Sequence, residues 1–267
     1  MTDVTLHLLG AFEVRAANGR AVASTVGSQR LVALLALRGR VVSRAAIAGA
    51  LWPEASTDFG AMRLRSALAR LEPTSRGLVL VEPHGMSLDP ACAVDYRIAR
   101  RRAERVLETA DEATLETADE TRTTIALLGL HLLPDFYDDW ALEEAEEWRL
   151  LRAVTLESLA GTLARDHQPY LAMYPAHAAI RNEPLRETAH VALVRLHITA
   201  GNYAEALRAF ARFRTALAEA VDAAPSEAFR ELVGALPGAA PESRVPAVST
   251  PLSVGGVLGG PDSLDVL

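Results

Sequence analysis

Lysine is missing altogether: every one of the 27 basic residues is arginine. Its absence removes the lysine of a Walker phosphate loop, a pyridoxal Schiff base and any lysine nucleophile. Cysteine is almost as scarce, and a lone Cys92 excludes an internal disulfide and a cysteine-cluster zinc site. Aromatic residues are only 5 % of the chain. No apolar run approaches the ~18 residues of a membrane span. The opening Met-Thr-Asp-Val lacks the basic and apolar regions of a secretory leader, so a cytoplasmic location is expected. What is present is a chain of 267 residues, 50 % apolar and 23 % charged, rich in alanine and leucine. At ~100–200 residues per domain this predicts two domains, with helix dominant.

Charge is unevenly spread along the chain. Residues 1–92 hold 10 arginines against 7 acidic residues, whereas residues 93–237 hold 16 against 24. Between Arg20 and Arg76 there are 9 arginines and only Glu54, Asp58 and Glu72. The net charge of −7 argues against nucleic acid for the chain as a whole, but the front part has the composition of a basic face.

Within that front part, Thr5 to Leu9 and Phe12 to Arg15 read as short strands, and Asn18-Gly19 as a turn. Ser28 is a candidate cap for a helix carrying Leu31, Leu34, Leu35 and Leu37, ended near Gly39. Ser43 is the expected N-cap of a second helix, Arg44 to Leu51, stopped by Trp52-Pro53. A third helix is predicted from about Phe59 to Glu72, with Pro73 as its terminator. A hairpin follows, Leu78 to Glu82 and Met86 to Leu88 about Pro83-His84-Gly85. Strands, three helices and a hairpin are the layout of a winged helix-turn-helix, so residues 1–92 are expected to be a DNA-binding domain of that α+β type.

The third helix carries the chemistry. At ~100° per residue, Ala61, Leu64, Ala67, Leu68 and Leu71 fall on one side. Arg63, Ser66 and Arg70 fall within roughly 60° of one another on the opposite side. Arginine suits bidentate contact with guanine O6 and N7, and serine serves phosphate or base. Arg65 sits on the flank, where a phosphate or an intradomain partner is expected, and Arg44 and Arg76 complete the candidate DNA-binding set. The same spacing also fits an ordinary amphipathic helix with a solvated face.

Residues 93–237 read as helical hairpins in series. The expected helices are Asp95 to Leu107, Leu115 to Leu132, Asp138 or Asp139 to Arg165, Tyr170 to Arg181 interrupted by Pro175, Pro184 to Thr199, and Tyr203 to Val221. Gly201, Tyr203, Ala206 and Phe210 stand at the offsets of a tetratricopeptide repeat, in which small residues permit close crossing and aromatics fill the gap. An all-α, TPR-like second domain is therefore expected. After Pro237 the chain turns to proline, glycine, serine and alanine without apolar periodicity, and residues 238–267 are expected to be a disordered tail.

Several long blocks, in order, resemble one family: "LLGAFEVR" from Leu8, "SQRLVALLALRGRVVSRAAIAGALWPEA" from Ser28, "LRSALARL" from Leu64, "LLPDFYDDWALEEAEEWRLLR" from Leu132 and "NEPLRETAHVALVRLHITAGNYAEALRAFARFR" from Asn182. Over residues 5–236 the chain is similar to regulators of the Streptomyces antibiotic regulatory protein type, a winged helix-turn-helix followed by a bacterial transcriptional activator domain. The resemblance implies a DNA-binding transcriptional regulator, usually an activator, that binds promoter repeats in double-stranded DNA and contacts RNA polymerase. A homodimer on DNA is the matching expectation. The chain departs from the family at Ala69, where relatives carry a bulky aromatic, and at Ala220-Val221-Asp222, where they read Glu-Leu-Gly.

No catalytic pattern competes. The seven histidines show no His-Glu-x-x-His spacing, and no Gly-x-Ser-x-Gly elbow is present. No enzyme activity, metal or cofactor is expected. Asp135 to Glu147, seven acids with Phe136, Tyr137 and Trp140, reads either as a partner-binding acidic patch or as a loop and helix start whose acids complement the helix dipole. The second reading is favoured. The alternative function for the whole chain is a helical-repeat adaptor whose winged domain does not read DNA.

Overall fold

In the computed structural model, which describes residues 4–108 and 118–237, the chain opens with β1 (Thr5–His7) and β2 (Glu13–Arg15), paired antiparallel with Leu6 opposite Val14. Leu6 and Val14 alternate with more exposed neighbours and point into the core, as period-2 strands require. Next comes α1 (Val26–Arg38), whose cap is Thr25, three residues before the expected Ser28, accepting from the Ser28 N–H. Ser28 is itself buried, and its hydroxyl faces that of Thr25 at 3.0 Å. Gly39, at φ +62°, closes α1 with its N–H on the Leu35 carbonyl, a left-handed turn that favours glycine.

Then follow α2 (Arg44–Leu51), capped by the Ser43 hydroxyl on the Ala46 N–H, and α3 (Thr57–Ala69). The third helix ends three residues short of Glu72. That residue instead caps a short α4 (Pro73–Gly77), with Pro73 at the first-turn position that its missing N–H suits. The hairpin is β3 (Val79–Glu82) with β4 (Gly85–Leu88), in the register Val81 opposite Met86.

The expected boundary between residues 92 and 93 falls on β5 (Ala93–Val94), which lies parallel to β1 and completes a three-stranded sheet ordered β2-β1-β5. Asp95, the first residue of α5 (Asp95–Glu108), accepts from the Leu8 N–H at 2.8 Å and the Leu9 N–H at 3.2 Å. A chain cut at residue 92 thus loses one strand and a carboxylate that holds the loop after β1.

The remaining helices are α6 (Ala118–Leu128), α7 (Asp139–Arg165), α8 (Pro169–Asn182), α9 (Glu187–Thr199), α10 (Tyr203–Val221) and α11 (Glu227–Gly234). Four differ from the sequence reading. The sixth helix, α6, ends at Leu128, four residues short of the expected Leu132, which is instead drawn into a bridge with Leu9. Pro175 does not interrupt α8: it is buried inside the helix, and the close packing of α8 along α7 offsets the one backbone bond that proline cannot make. The helix expected from Pro184 starts at Glu187, and α11, seated by Phe229 and Val233, is a further helix beyond Val221. The expected start of α6 at Leu115 and the expected tail 238–267 lie outside the described residues.

Gly201 adopts φ +73° in the turn before α10, and Ala206 and Phe210 are buried, in keeping with a close helical crossing. Tyr203 is 40 % exposed, because it stands on the outer side of the first turn of α10. The place of a deep aromatic is taken by Phe213, whose ring lies 4.3 Å from His190 and 5.8 Å from Phe229.

One continuous apolar core runs through both parts. Polar ties reinforce the seam: Arg30 of α1 donates through Nε to Asp138 at 3.0 Å and through Nη2 to the second carboxylate oxygen. Arg97 donates twice to the Ala36 carbonyl, the Leu133 N–H donates to Leu8 and the Gly10 N–H to His131. Two of the seven acids of the acidic segment are held by such ties, Asp138 by Arg30 and Glu144 by Arg100, and Phe136 and Trp140 pack edge to face at 6.2 Å.

Four histidines in the helical part give stability a sign on the pH axis. Burial holds His177, His190, His197 and His131 below the ordinary value of 6.5, reinforced by the guanidinium of Arg181 at His177, of Arg212 at His190 and His197, and of Arg152 at His131. The unfolded chain therefore takes up protons first. The stabilisation is complete above about pH 6.5 and is lost as pH falls below it. Thermal melts at about pH 7.5 and pH 5.5 should show the lower melting temperature at the acid value, chiefly through the buried His190; equal temperatures would contradict a neutral ring there.

Candidate nucleic-acid interface

The outward face of α3 carries Phe59, Met62, Arg63, Ser66 and Ala69, with Arg70 at its C-cap, all exposed, while Arg65 is exposed on the flank. Gly60, Leu64 and Ala67 are buried on the other side. The helix starts at Ser56 with Asp58 in its first turn, where a carboxylate complements the helix dipole.

Of the five arginines and one serine expected to meet DNA, Arg63, Ser66 and Arg70 share this exposed face. Arg63 is oriented by Phe59, its guanidinium carbon 5.2 Å from the ring centroid, a cation–π contact. Ser66 and Arg70 make no side-chain hydrogen bond or ion pair with the described residues. Arg65 is also unpaired among them, but it is turned away from the other three and lines a cleft of about 410 Å³ between α2 and α3, together with Leu64, Leu68 and Met86.

Arg76 and Arg44 have structural partners. Arg76 donates Nη2 to the carbonyls of Leu68 and Ala69 at 3.0 and 2.9 Å, satisfying the open C-terminal end of α3. Arg44 donates to the carbonyls of Pro83 and Glu82 at 3.3 and 3.1 Å, joining the start of α2 to the hairpin tip. Both are exposed and fix the frame around α3. Sequence reasoning missed Phe59 and Met62, half-exposed apolar residues on the same face. Phe59 stands four residues before Arg63 and Met62 four before Ser66, and this spacing was the available signal.

Besides the Arg44 side chain, backbone bonds hold the hairpin to the segment before α2. The Val42 N–H donates to Met86 at 2.8 Å and the Met86 N–H to Val42 at 2.9 Å. A Cβ on Gly85 would lie 2.2 Å from the Val42 carbonyl oxygen, so only glycine fits. Gly85→Ala should cost about 1–3 kcal/mol and detach the hairpin from Val42, just before α2. Denaturant unfolding, with hydrogen exchange at Met86, checks this; a stable variant with Met86 still protected would contradict it.

Among the described residues no helix is long and apolar enough to cross a membrane, and no group of three His, Cys, Asp or Glu side chains is placed to hold a metal ion. Comparison with known proteins agrees with the layout. Residues 94–236 match the family model of the bacterial transcriptional activator domain. Among solved structures, the chain is similar to EmbR of Mycobacterium tuberculosis in complex with a low-affinity phosphopeptide, with a TM-score of 0.61 and 19 % identity. The match covers 87 % of this chain and 64 % of that one, so this chain spans less than two thirds of the similar structure. No curated protein sequence matches.

Proposed function

Because the chain belongs to the bacterial transcriptional activator domain family, and is a transcriptional regulator of the Streptomyces antibiotic regulatory protein type, we propose that it reads specific double-stranded DNA with α3 and activates transcription through its helical part. The single observation that carries the reading is the exposed trio Arg63, Ser66 and Arg70, unpaired or stacked, on a helix braced at its end by Arg76. Guanidinium groups so presented have free donors for base edges and phosphates. The hairpin held by Arg44 would follow the backbone beside the groove as a wing, and Arg65 would hold a phosphate.

The helical part is tied to the DNA-reading part by Arg30–Asp138 and by the backbone bonds of Leu8 and Gly10. A polymerase that touches the helical surface is then placed at a fixed position relative to the bound DNA, and two copies on repeated half-sites would present two such surfaces. The test is a purified transcription assay with RNA polymerase and DNA from upstream of the coding region, read beside footprinting of the same template. Transcript is expected to rise with occupancy. Occupancy without any change in transcript would leave the helical part as an adaptor for another partner.

A further inference from the structure

Among the described residues, Arg152 is a buried guanidinium with no ion pair of its own. Arg152 is 1 % exposed and lies on α7 in phase with Trp148, Leu156 and Leu159, all of them buried. Its Nη1 donates to the Leu130 carbonyl at 3.1 Å and its Nη2 lies 3.1 Å from His131 Nδ1. The Nε atom, equally buried, has no hydrogen-bond partner. Among the described residues no carboxylate lies within ion-pair distance of this guanidinium. Glu183, the acid whose field reaches it, is bound by Arg149 at 2.5 Å.

Such a group is costly to bury. Arginine does not relieve the cost by losing its proton, and an unpaired cation in an apolar setting is among the least favourable arrangements in a protein. His131 supplies no opposite charge: Arg152 needs Nδ1 as an acceptor, so the ring is neutral with its proton on Nε2. Two of the five guanidinium N–H groups are engaged, and three remain.

A cavity of about 340 Å³ borders this side chain. Phe136, Tyr137, Leu142, Ala145 and Trp148 supply its apolar wall. Glu146 is also on the wall, but Arg149 neutralises it through two bonds of 2.8 Å. Arg149 also holds Glu183, so two guanidinium groups face two carboxylates here, and Arg152 is the buried one with N–H groups left unpaired. A volume of this size, apolar with a few convergent polar groups, matches a small-molecule site.

We propose that this cavity binds a small organic carboxylate, its carboxylate paired with the free N–H groups of Arg152 and its apolar body set against Phe136, Leu142 and Trp148. The planar guanidinium fits a carboxylate through two parallel bonds. The aromatic wall favours a body of the size of a phenyl ring over a bare inorganic anion. The site borders the segment from Leu130 to Leu133, whose backbone bonds Leu8 and Gly10 of the front part, so an occupant would brace the join between reading helix and helical surface.

Calorimetric titration of the full chain with phenylacetate tests this, with phenylacetamide and inorganic phosphate as controls. Phenylacetate is expected to bind at about 1 mM or tighter, and both controls at least about tenfold more weakly. Arg152→Met should abolish binding. Ala145→Phe, which fills the cavity from the half-buried flank of α7 and leaves Arg152 in place, should abolish it too and decides the matter if the Met variant does not fold. No binding of phenylacetate, equal binding of the amide or of phosphate, or unchanged binding by a folded Ala145→Phe variant would each overturn the proposal.

Discussion

Replacing Arg63 and Arg70 together by alanine is expected to weaken binding to a specific duplex by about 2–6 kcal/mol, at ~1–3 kcal/mol for each base-reading arginine. That is a loss of between about 30-fold and about 20,000-fold. The melting temperature should stay where it is, because both side chains are exposed and neither holds a partner in the fold beyond the Phe59 ring. The two contributions should add approximately, being one and two turns along a single face with no shared contact. Arg65→Ala is expected to differ in kind, reducing affinity for all sequences alike if it meets a phosphate. A double variant that binds its specific site normally would remove α3 from the interface.

The second large effect is expected at Phe213. This side chain is 1 % exposed, lies 4.3 Å from the His190 ring and 5.8 Å from the Phe229 ring, and Phe229 in turn meets Phe210 edge to face at 5.0 Å. Truncation to alanine should cost about 3–5 kcal/mol, the usual range for a buried phenylalanine. The loss should fall on α9, α10 and α11, since those helices hold the cluster, and hydrogen exchange across residues 203–234 would locate it. DNA binding by the front part should fall far less than transcript yield. Equal losses of both, or a variant as stable as the parent, would contradict the division of labour proposed above.

Local signals carried well in this chain. The spacing of Leu31, Leu34 and Leu35 predicted α1, and Ser43 and Trp52-Pro53 marked the two ends of α2, because caps and apolar periods act within one or two turns. Competition between neighbours misplaced the cap of α1, where Thr25 reaches the Ser28 N–H and Ser28 is drawn inside. Pro175 was legible as a helix breaker but not as a buried residue whose packing outweighs one lost bond. Contacts between distant parts were not legible at all. The pairing of β1 with a two-residue β5, and the bond from Arg30 to an aspartate 108 positions away, have no local signature. At the candidate interface, the shared face of Arg63, Ser66 and Arg70 followed from helical phase, whereas the partners of Arg44 and Arg76 depend on how the hairpin and α4 fold back. Arg152 did leave a trace: it falls four residues after Trp148 and four before Leu156, inside the apolar stripe.

The central claim is that α3 reads base sequence. Its most direct test is selection of bound duplexes from a random DNA pool by the full chain and by the Arg63→Ala, Arg70→Ala double variant, followed by titration of the enriched site over a salt series. The account predicts a defined sequence for the parent, repeated at about one helical turn. It also predicts affinity that falls with salt and enrichment lost in the double variant. A parent chain that enriches no sequence, or a double variant that enriches the same one, would contradict it.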